Sequence, residues 1–296
     1  MRIAVTGSSG LIGRALTNQL EQSGHSISAI DIVGVATACD ITDRELLENS
    51  LHNCDGIVHL AAVSRVAEAQ EFPGRTWATN VDGTQNILNS ILNRKKTDRP
   101  WLIHASSREV YGDQSATPIN EDTPVAPLNI YGRSKAACEG LVACAQDAGA
   151  TISVLRFANV YGDIYDYSDR VVPAFSRAAA QGAPLRVDDA QTCMDFTHVD
   201  DVAVGINKVV ECLSAGEQLP PIHFATGSGT TLGTLAQLAV KASNNTCVVN
   251  EVERRKSSVS CFIGDPSRAR ELLGWEHTTP LEDGFSRMVS AFKNTA

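Results

Sequence analysis

The feature that most constrains the fold is a set of three evenly spaced glycines directly after the first apolar segment. Residues 3–6 predict a short buried strand, and Leu11–Gln22 carries apolar residues at helical spacing. Between them, Gly7, Gly10 and Gly13 let the backbone approach a phosphate at a helix start, where the helix dipole favours anions. This order of strand, loop and helix predicts a dinucleotide site, and a glycine-rich turn without a ligand is the alternative.

The rest of the first half alternates short apolar strands with amphipathic segments, which is typical of a parallel sheet with right-handed crossovers. The predicted strands are 3–6, 26–31, 56–60, 101–106 and 152–157, and the predicted helices are 11–22, 79–93 and 130–146. The pattern predicts an α/β fold with a doubly wound parallel sheet.

The alternation breaks down after residue 162, which indicates a second structural unit. We expect residues 1–162 to form the sheet domain, with 196–227 returning to it. Residues 163–195 and 228–296 are expected to form a smaller C-terminal lobe that binds the substrate. A chain of 296 residues is long enough for both units.

Charge and cysteine usage argue against several classes of function. The formal net charge is −9 and there is no basic tract, so nucleic-acid binding is not expected. The apolar runs are too short to span a bilayer and the N-terminus lacks a signal-peptide layout, so we expect no membrane association and a cytoplasmic location. The eight cysteines form no Cys-x-x-Cys pair and have no histidine at ligand spacing. Neither disulfides nor a metal site are expected.

The predicted second strand ends at Asp31, whose carboxylate can accept both ribose hydroxyls of an adenosine and repel a 2′-phosphate. No arginine follows it, which favours NAD over NADP. The further cofactor-binding candidates are Ser9, Leu11, Ile12, Asp40, Ile41, Leu60, Ala61, Ala62 and Asn80. The alternative for Asp40 is a turn-capping role, and the alternative for residues 60–62 and Asn80 is ordinary packing.

Tyr131 and Lys135 stand four residues apart in a predicted helix, so their side chains share one face with Cβ atoms roughly 5–6 Å apart. An ammonium at that distance favours the ionised phenol and is expected to lower the pKa of Tyr131 from its usual value of about 10. The pair therefore predicts a general base for an alcohol or sugar hydroxyl, and both residues are also candidates for cofactor binding. A solvated lysine beside a half-buried tyrosine is the alternative.

Further motifs run in order along almost the whole chain. They are VHLAA at 58–62, NVDGT at 80–84, SS at 106–107, VYG at 110–112, YGRSK at 131–135, RFANVYG at 156–162, DFTHVDD at 195–201 and ARELLGW at 269–275. With the spaced glycines, they resemble the extended short-chain dehydrogenase/reductase family, in particular its nucleotide-sugar epimerase/dehydratase branch. The resemblance implies a Rossmann-type domain that binds NAD and a smaller lobe that binds a UDP- or dTDP-linked sugar. It also implies a homodimer joined by a four-helix bundle of the helices at 79–93 and 130–146.

The same resemblance implies the catalytic roles. Ser107 would hydrogen-bond the sugar hydroxyl, Tyr131 would remove its proton, and Lys135 would hold the nicotinamide ribose. A transient 4-keto sugar and NADH would form. An epimerase would then return the hydride to the other face of the sugar, so that NAD is regenerated.

The segment between Ser107 and Tyr111 is where activities diverge within the family, and here it contains Arg108 and Glu109. The 4,6-dehydratases have an Asp in place of Arg108, and a guanidinium cannot supply the proton that this Asp gives to the leaving hydroxyl. Sugar-acid decarboxylases also have a Glu at this place, so Glu109 is a catalytic candidate for either lyase reaction. Arg108 is expected either to bind a carboxylate of the substrate or to pair with Glu109 or a surface acid. An epimerase acting at C4 is the leading hypothesis; a dehydratase or decarboxylase and a non-catalytic NAD-binding module are the alternatives.

The second lobe contributes further candidates by resemblance. Asn159 matches an asparagine that contacts a diphosphate oxygen, with local backbone capping as its alternative, and Arg255 matches a phosphate-binding arginine. Met194 stands where the family usually has an arginine, which leaves the nucleotide open. Asp195 and His198 are assigned mainly to structure.

Overall fold

The computed structural model describes residues 1–114, 118–253 and 259–295. The strands, β1 to β12 in chain order, are Arg2–Thr6, Ser26–Ile30, Gly56–His59, Trp101–Ser107, Ile152–Phe157, Asn159–Tyr161, Leu185–Asp188, Cys193–His198, Ile222–Phe224, Gly229–Thr231, Val249–Val252 and Cys261–Phe262. The α-helices, α1 to α11, are Leu11–Gln22, Arg44–Ser50, Val66–Glu71, Pro73–Trp77, Gly83–Leu92, Ile130–Asp147, Val171–Gln181, Val199–Ser214, Leu232–Ala242, Ser267–Leu273 and Leu281–Thr295. Among the described residues, no helix combines the length and apolarity needed to cross a membrane.

A parallel sheet of six strands forms the centre of the molecule, in the order β2-β1-β3-β4-β5-β9. The strands β3, β4 and β5 consist wholly of buried residues, as expected for strands that are covered on both faces. The strand order reverses at β1, since β2 and β3 lie on its opposite sides. In such sheets the carboxyl ends of the strands at the reversal open a crevice that binds ligands.

Helices cover both faces of this sheet, which confirms the predicted doubly wound, Rossmann-type fold. On one face, Leu16 of α1 and Ile206 of α8 belong to a fully buried cluster with Val5 of β1. On the other face, Ile87 of α5 and Val142 of α6 pack in a second cluster with Leu47 of α2. Each cluster removes apolar surface from water at about 25 cal/mol per Å², which makes these two layers the main stabilising feature of the sheet.

Smaller strand groups lie outside the central sheet. β8 pairs with β6, β10 and β12, and β7 pairs with β11. The helices α7, α9 and α11 share an apolar cluster with these strands that includes Phe175, Leu235 and Phe285. We propose that this cluster is the core of the substrate-binding lobe, with the boundaries at 163–195 and 228–296 that the sequence predicts.

The helix predicted at 79–93 differs from the observed backbone. The short helix α4 is followed by a π-helical turn at Ala78–Asp82, and the regular helix α5 begins only at Gly83. The cause lies within the turn, where the Asn80 side chain bonds neighbouring segments and the Thr84 hydroxyl donates to the Asn80 carbonyl at 2.6 Å. Such turns carry one extra residue and frequently occur at functional sites.

Candidate active site

A cleft of about 1240 Å³ opens at the carboxyl ends of the central strands. Its walls come from the loops after β1, β2, β3, β4 and β5, from the start of α6, and from residues 165–173. The volume is above the roughly 300–1,000 Å³ typical of a small-ligand pocket, so the cleft can hold a dinucleotide together with a second ligand. Every predicted site residue in the described part of the chain lines the cleft, except Asn80.

The glycine loop has the geometry of a phosphate cradle. Gly7 has a φ of +72°, in the left-handed region that favours glycine. A Cβ at Gly13 would lie 2.1 Å from the carbonyl oxygen of Gly7, so any side chain there would displace the loop. Gly10 caps α1 without a side-chain hydrogen bond, which leaves amides of the first turn open to an outside acceptor. The oxygens of a diphosphate are acceptors of this kind, so the loop fits a dinucleotide.

The carboxylate of Asp31 lies beside this loop, directly after β2. It accepts the backbone N–H groups of Ser9 at 2.9 Å and Ile32 at 2.7 Å, which fix its position at the edge of the cleft. Asp40 accepts the amide and the hydroxyl of Thr42 at 2.9 and 2.8 Å, as its turn-capping alternative requires. Asp40 also lines the cleft, so the two roles are compatible.

The contacts of Asn80 argue against direct cofactor binding. The residue is 1% exposed, and its side-chain oxygen accepts the Val63 N–H at 2.8 Å. Its side-chain nitrogen donates to the Val63 carbonyl at 3.1 Å and to the Ser134 hydroxyl at 2.9 Å. Since Val63 lines the cleft and Ser134 lies on α6, Asn80 instead joins the loop after β3 to the helix that carries Tyr131.

Ser107, Tyr131 and Lys135 come together at the floor of the cleft. Ser107 is the last residue of β4, and the two other residues lie on the first turns of α6. The Ser107 hydroxyl lies near enough to the Tyr131 phenol to lower its pKa, and the Lys135 ammonium donates to the Ala105 carbonyl at 2.8 Å. All three catalytic candidates are at most 8% exposed, so a proton transfer there is shielded from water.

The pKa of Tyr131 does not follow the prediction from spacing. Burial raises the pKa of this phenol to about 12, which outweighs the lowering effects of the Ser107 hydroxyl and the Arg170 charge. Glu109 raises the same pKa and Arg108 lowers it. Burial also lowers the pKa of Lys135. The expectation that Lys135 brings the Tyr131 pKa below 10 is therefore wrong for the chain by itself, because burial destabilises the charged phenolate.

Arg108 and Glu109 form an ion pair at the same end of the cleft. The Arg108 Nη2 atom lies 2.9 Å from the Glu109 Oε1 atom, and their side chains are 11% and 8% exposed. The other carboxylate oxygen of Glu109 accepts the Asn129 side-chain amide at 2.7 Å. The Nε atom of Arg108 donates to the Asn159 side-chain oxygen at 2.8 Å. Arg108 was expected either to bind a substrate carboxylate or to pair with an acid of the protein, and in the structure it pairs with Glu109.

Two residues at the site have no counterpart among the sequence predictions. Asn129 is 1% exposed and lines the cleft, and its side-chain oxygen caps α6 by accepting the Gly132 N–H at 2.8 Å. An asparagine just before a predicted helix is a typical N-cap, and this was the signal in the sequence that could have identified it. Arg170 donates to the Ser64 hydroxyl at 3.0 Å, and its positive charge lowers the pKa of Tyr131. No local pattern marks Arg170, because the fold brings it to the site from a distant loop.

Residues assigned mainly to structure have structural contacts. The Asp195 carboxylate accepts the backbone N–H groups of Thr226 and Gly227, each at 2.9 Å. The His198 ring caps α8 by accepting the Asp200 N–H at 3.3 Å. Arg255 lies outside the described residues.

The chain is similar to known proteins in sequence and in fold. The model of the NAD dependent epimerase/dehydratase family matches residues 3–223. The UDP-glucose 4-epimerase of Dictyostelium discoideum is 28% identical over 322 aligned positions, which cover 95% of this chain and 93% of the relative. The crystal structure of the Thermotoga maritima UDP-glucose 4-epimerase with UDP-glucose has a TM-score of 0.91 and 28% identity, over 100% of this chain and 99% of that chain. The dTDP-glucose 4,6-dehydratase DesIV of Streptomyces venezuelae, solved with NAD, has a TM-score of 0.89 and 25% identity, over 99% and 97% of the two chains.

Proposed function

Because the chain belongs to the NAD-dependent epimerase/dehydratase family, whose cofactor is NAD, we propose that it interconverts the C4 epimers of a nucleoside-diphosphate sugar. The observation that carries the proposal is the engagement of Glu109. Both of its carboxylate oxygens are held, by Arg108 and by Asn129, whereas Ser107 and Tyr131 both line the cleft. The acid that a lyase would need is thus occupied, and the base that an epimerase needs is in place.

In this mechanism the chain's own residues position the sugar and move its proton. Ser107 binds the C4 hydroxyl, and the Tyr131 oxygen accepts the proton of that hydroxyl. NAD, when bound, supplies the hydride acceptor at C4 of its nicotinamide ring. Lys135, one turn after Tyr131 on α6, would hold the nicotinamide ribose. The sugar would pass through a ketone at C4 and leave as its epimer once the hydride has been returned to the opposite face of C4 and Tyr131 has given the proton back to the oxygen.

A lyase reaction on the same scaffold is the second candidate. Glu109 lines the cleft, and DesIV, which shares the fold over nearly the whole chain, is a dehydratase. Release of Glu109 from Arg108 and Asn129 would be required before it could act as an acid or base. The third candidate, a non-catalytic module, gives no role to Ser107, Tyr131 and Lys135 at the cleft.

The products of a substrate panel distinguish these reactions. We expect the NAD-loaded protein to convert a UDP- or dTDP-hexose into an isomer of unchanged mass, seen by chromatography, mass spectrometry and proton NMR. Loss of water would identify a dehydratase, and loss of carbon dioxide from a UDP-uronic acid would identify a decarboxylase. Bound NAD without any product would favour the module.

We also propose that the protein is a homodimer whose bundle includes α6, since this helix exposes a run of small residues. Gly140, Ala143 and Cys144 are exposed, and a Cβ at Gly140 would meet nothing within 4 Å. Gly140→Glu is therefore expected to fold normally and to shift sedimentation from dimer to monomer, because a buried unpaired carboxylate opposes helix packing. Ser290→Glu on the exposed face of α11 is the matched control and should remain dimeric. A dimeric Gly140→Glu variant would contradict the proposed interface.

The nucleotide and the location of the protein complete the proposal. We propose a UDP- or dTDP-linked substrate whose diphosphate contacts Asn159, a residue that lines the cleft, and Arg255. We propose a cytoplasmic location because all eight cysteines are free thiols, as is usual in a reducing compartment.

A further inference from the structure

The Arg108, Glu109 and Asn129 side chains form a continuous polar chain beside Tyr131. We propose that Arg108 and Asn129 are positioning residues that hold the Glu109 carboxylate in place and balance its charge next to the Tyr131 base. This inference rests on the proposed function, in which Tyr131 removes the sugar proton. It assigns a role to Arg108 other than binding a substrate carboxylate.

Glu109 is fixed from two sides. Arg108 holds one oxygen at 2.9 Å and Asn129 holds the other at 2.7 Å, and the carboxylate side chain is only 8% exposed. A buried carboxylate without partners is costly, so both partners stabilise it in this position. The same contacts take up the oxygens with which Glu109 would otherwise accept or deliver a proton.

Asn129 connects this carboxylate to the catalytic helix. Its side-chain oxygen accepts the Gly132 N–H at 2.8 Å, and its side-chain nitrogen donates to Glu109. The backbones are also closely fitted, because a Cβ at Gly132 would lie 2.5 Å from the carbonyl oxygen of Glu109. Tyr131 lies between Asn129 and Gly132 in the chain, so the start of the helix and the phenol are set against the segment that contains Glu109.

Arg108 is itself held by residues beyond the central sheet. Its Nε atom donates to Asn159 on β6 at 2.8 Å, and its guanidinium lies over the ring of Phe262 on β12, 5.7 Å from the ring centre. Planar stacking and directed hydrogen bonds fix an arginine better than a lysine. The charge that balances Glu109 therefore has a defined position relative to Tyr131.

The charges that face Tyr131 show why this balance matters. Glu109 raises the pKa of the phenol, whereas Arg108, Arg170 and the Ser107 hydroxyl lower it, and Lys135 lies on the same helix. The positive charge of Arg108 therefore opposes the effect of Glu109 on the Tyr131 pKa. Without Arg108, that charge would oppose loss of the phenol proton.

The pH dependence of kcat tests the charge balance. Arg108→Gln is expected to move the acidic limb of the kcat profile about one unit to higher pH, which is about a tenfold lower kcat at a fixed pH below that limb. Arg108→Lys keeps a charge and should move the limb less. The double variant Arg108→Gln with Glu109→Gln removes both charges and should return the limb towards that of the wild type. An unchanged limb in Arg108→Gln, or no return in the double variant, would overturn the inference.

A second comparison tests the positioning role of Asn129. Asn129→Ser keeps a helix-capping residue and removes the amide donor to Glu109, so kcat should fall roughly three- to tenfold with a smaller change in KM. Because both residues act through one contact, Asn129→Ser combined with Glu109→Gln should lose less than the product of the single losses. Multiplicative losses would contradict the role, and complete loss of turnover in Glu109→Gln alone would instead make Glu109 an acid or base. An active Tyr131→Phe enzyme would refute the proposed function itself, which keeps the two failures distinct.

Discussion

Tyr131→Phe is expected to lower kcat by about 10²- to 10⁴-fold, the usual loss when a positioned acid or base is removed. The substitution deletes one oxygen, the phenol atom that would accept the sugar proton. The ring remains in the same buried place, so NAD binding and thermal stability should change little. Single-turnover reduction of bound NAD, followed by absorbance, measures the proton-coupled step directly.

Tyr161→Phe is the matched control for this prediction. The Tyr161 hydroxyl is buried and makes no hydrogen bond within the described part of the chain, so its removal deletes the same atom away from the proposed base. We expect kcat close to that of the wild type. If both variants lost activity to a similar extent, or if Tyr131→Phe kept the full rate, Tyr131 would not be the base.

Gly13→Ala is expected to have the largest effect on cofactor binding. The new Cβ would lie 2.1 Å from the Gly7 carbonyl oxygen and 2.7 Å from the Ser8 Cα, both backbone atoms that cannot rotate away. The loop must shift, at a cost of about 1–3 kcal/mol, and the phosphate cradle is lost with it. We expect the affinity for NAD to fall roughly 10- to 100-fold, measured by titration calorimetry on the NAD-free protein.

Gly74→Ala is the control for the glycine loop. A Cβ at Gly74 meets nothing within 4 Å, and an alanine is a better helix former than glycine in α4. NAD affinity should be unchanged and stability slightly higher. Equal NAD affinity in Gly13→Ala and the wild type would contradict the assignment of this loop to the phosphates.

The sequence could predict the elements whose pattern is local. The helix α1 begins at Leu11 and ends at Gln22 as predicted, and α6 ends within one residue of its prediction, because periodic apolar residues define both. The sequence also predicts that the glycine loop, Ser107 and Tyr131 lie around one cleft, because parallel strands bring their carboxyl ends to one edge of the sheet.

The parts that could not be predicted depend on tertiary burial. The pKa of Tyr131 is set by how deeply the phenol lies, which the spacing to Lys135 does not reveal. Asn80 matched a family motif, yet its amide bonds Val63 and Ser134 rather than the cleft, a pairing that requires two segments distant in the chain. Arg170 reaches the site only through the folded loop before α7.

The position of β9 has a consequence for how the molecule reaches its native state. The chain leaves the central sheet after Ile152–Phe157, builds the β6 and β8 pairing, and supplies the sixth strand only at Ile222–Phe224. Contacts of such long sequence separation slow folding, because a large loop must close before they form. During synthesis, the growing polypeptide therefore exposes the edge of β5 until the later segment emerges from the ribosome, and this interval is when the nascent chain is most open to aggregation.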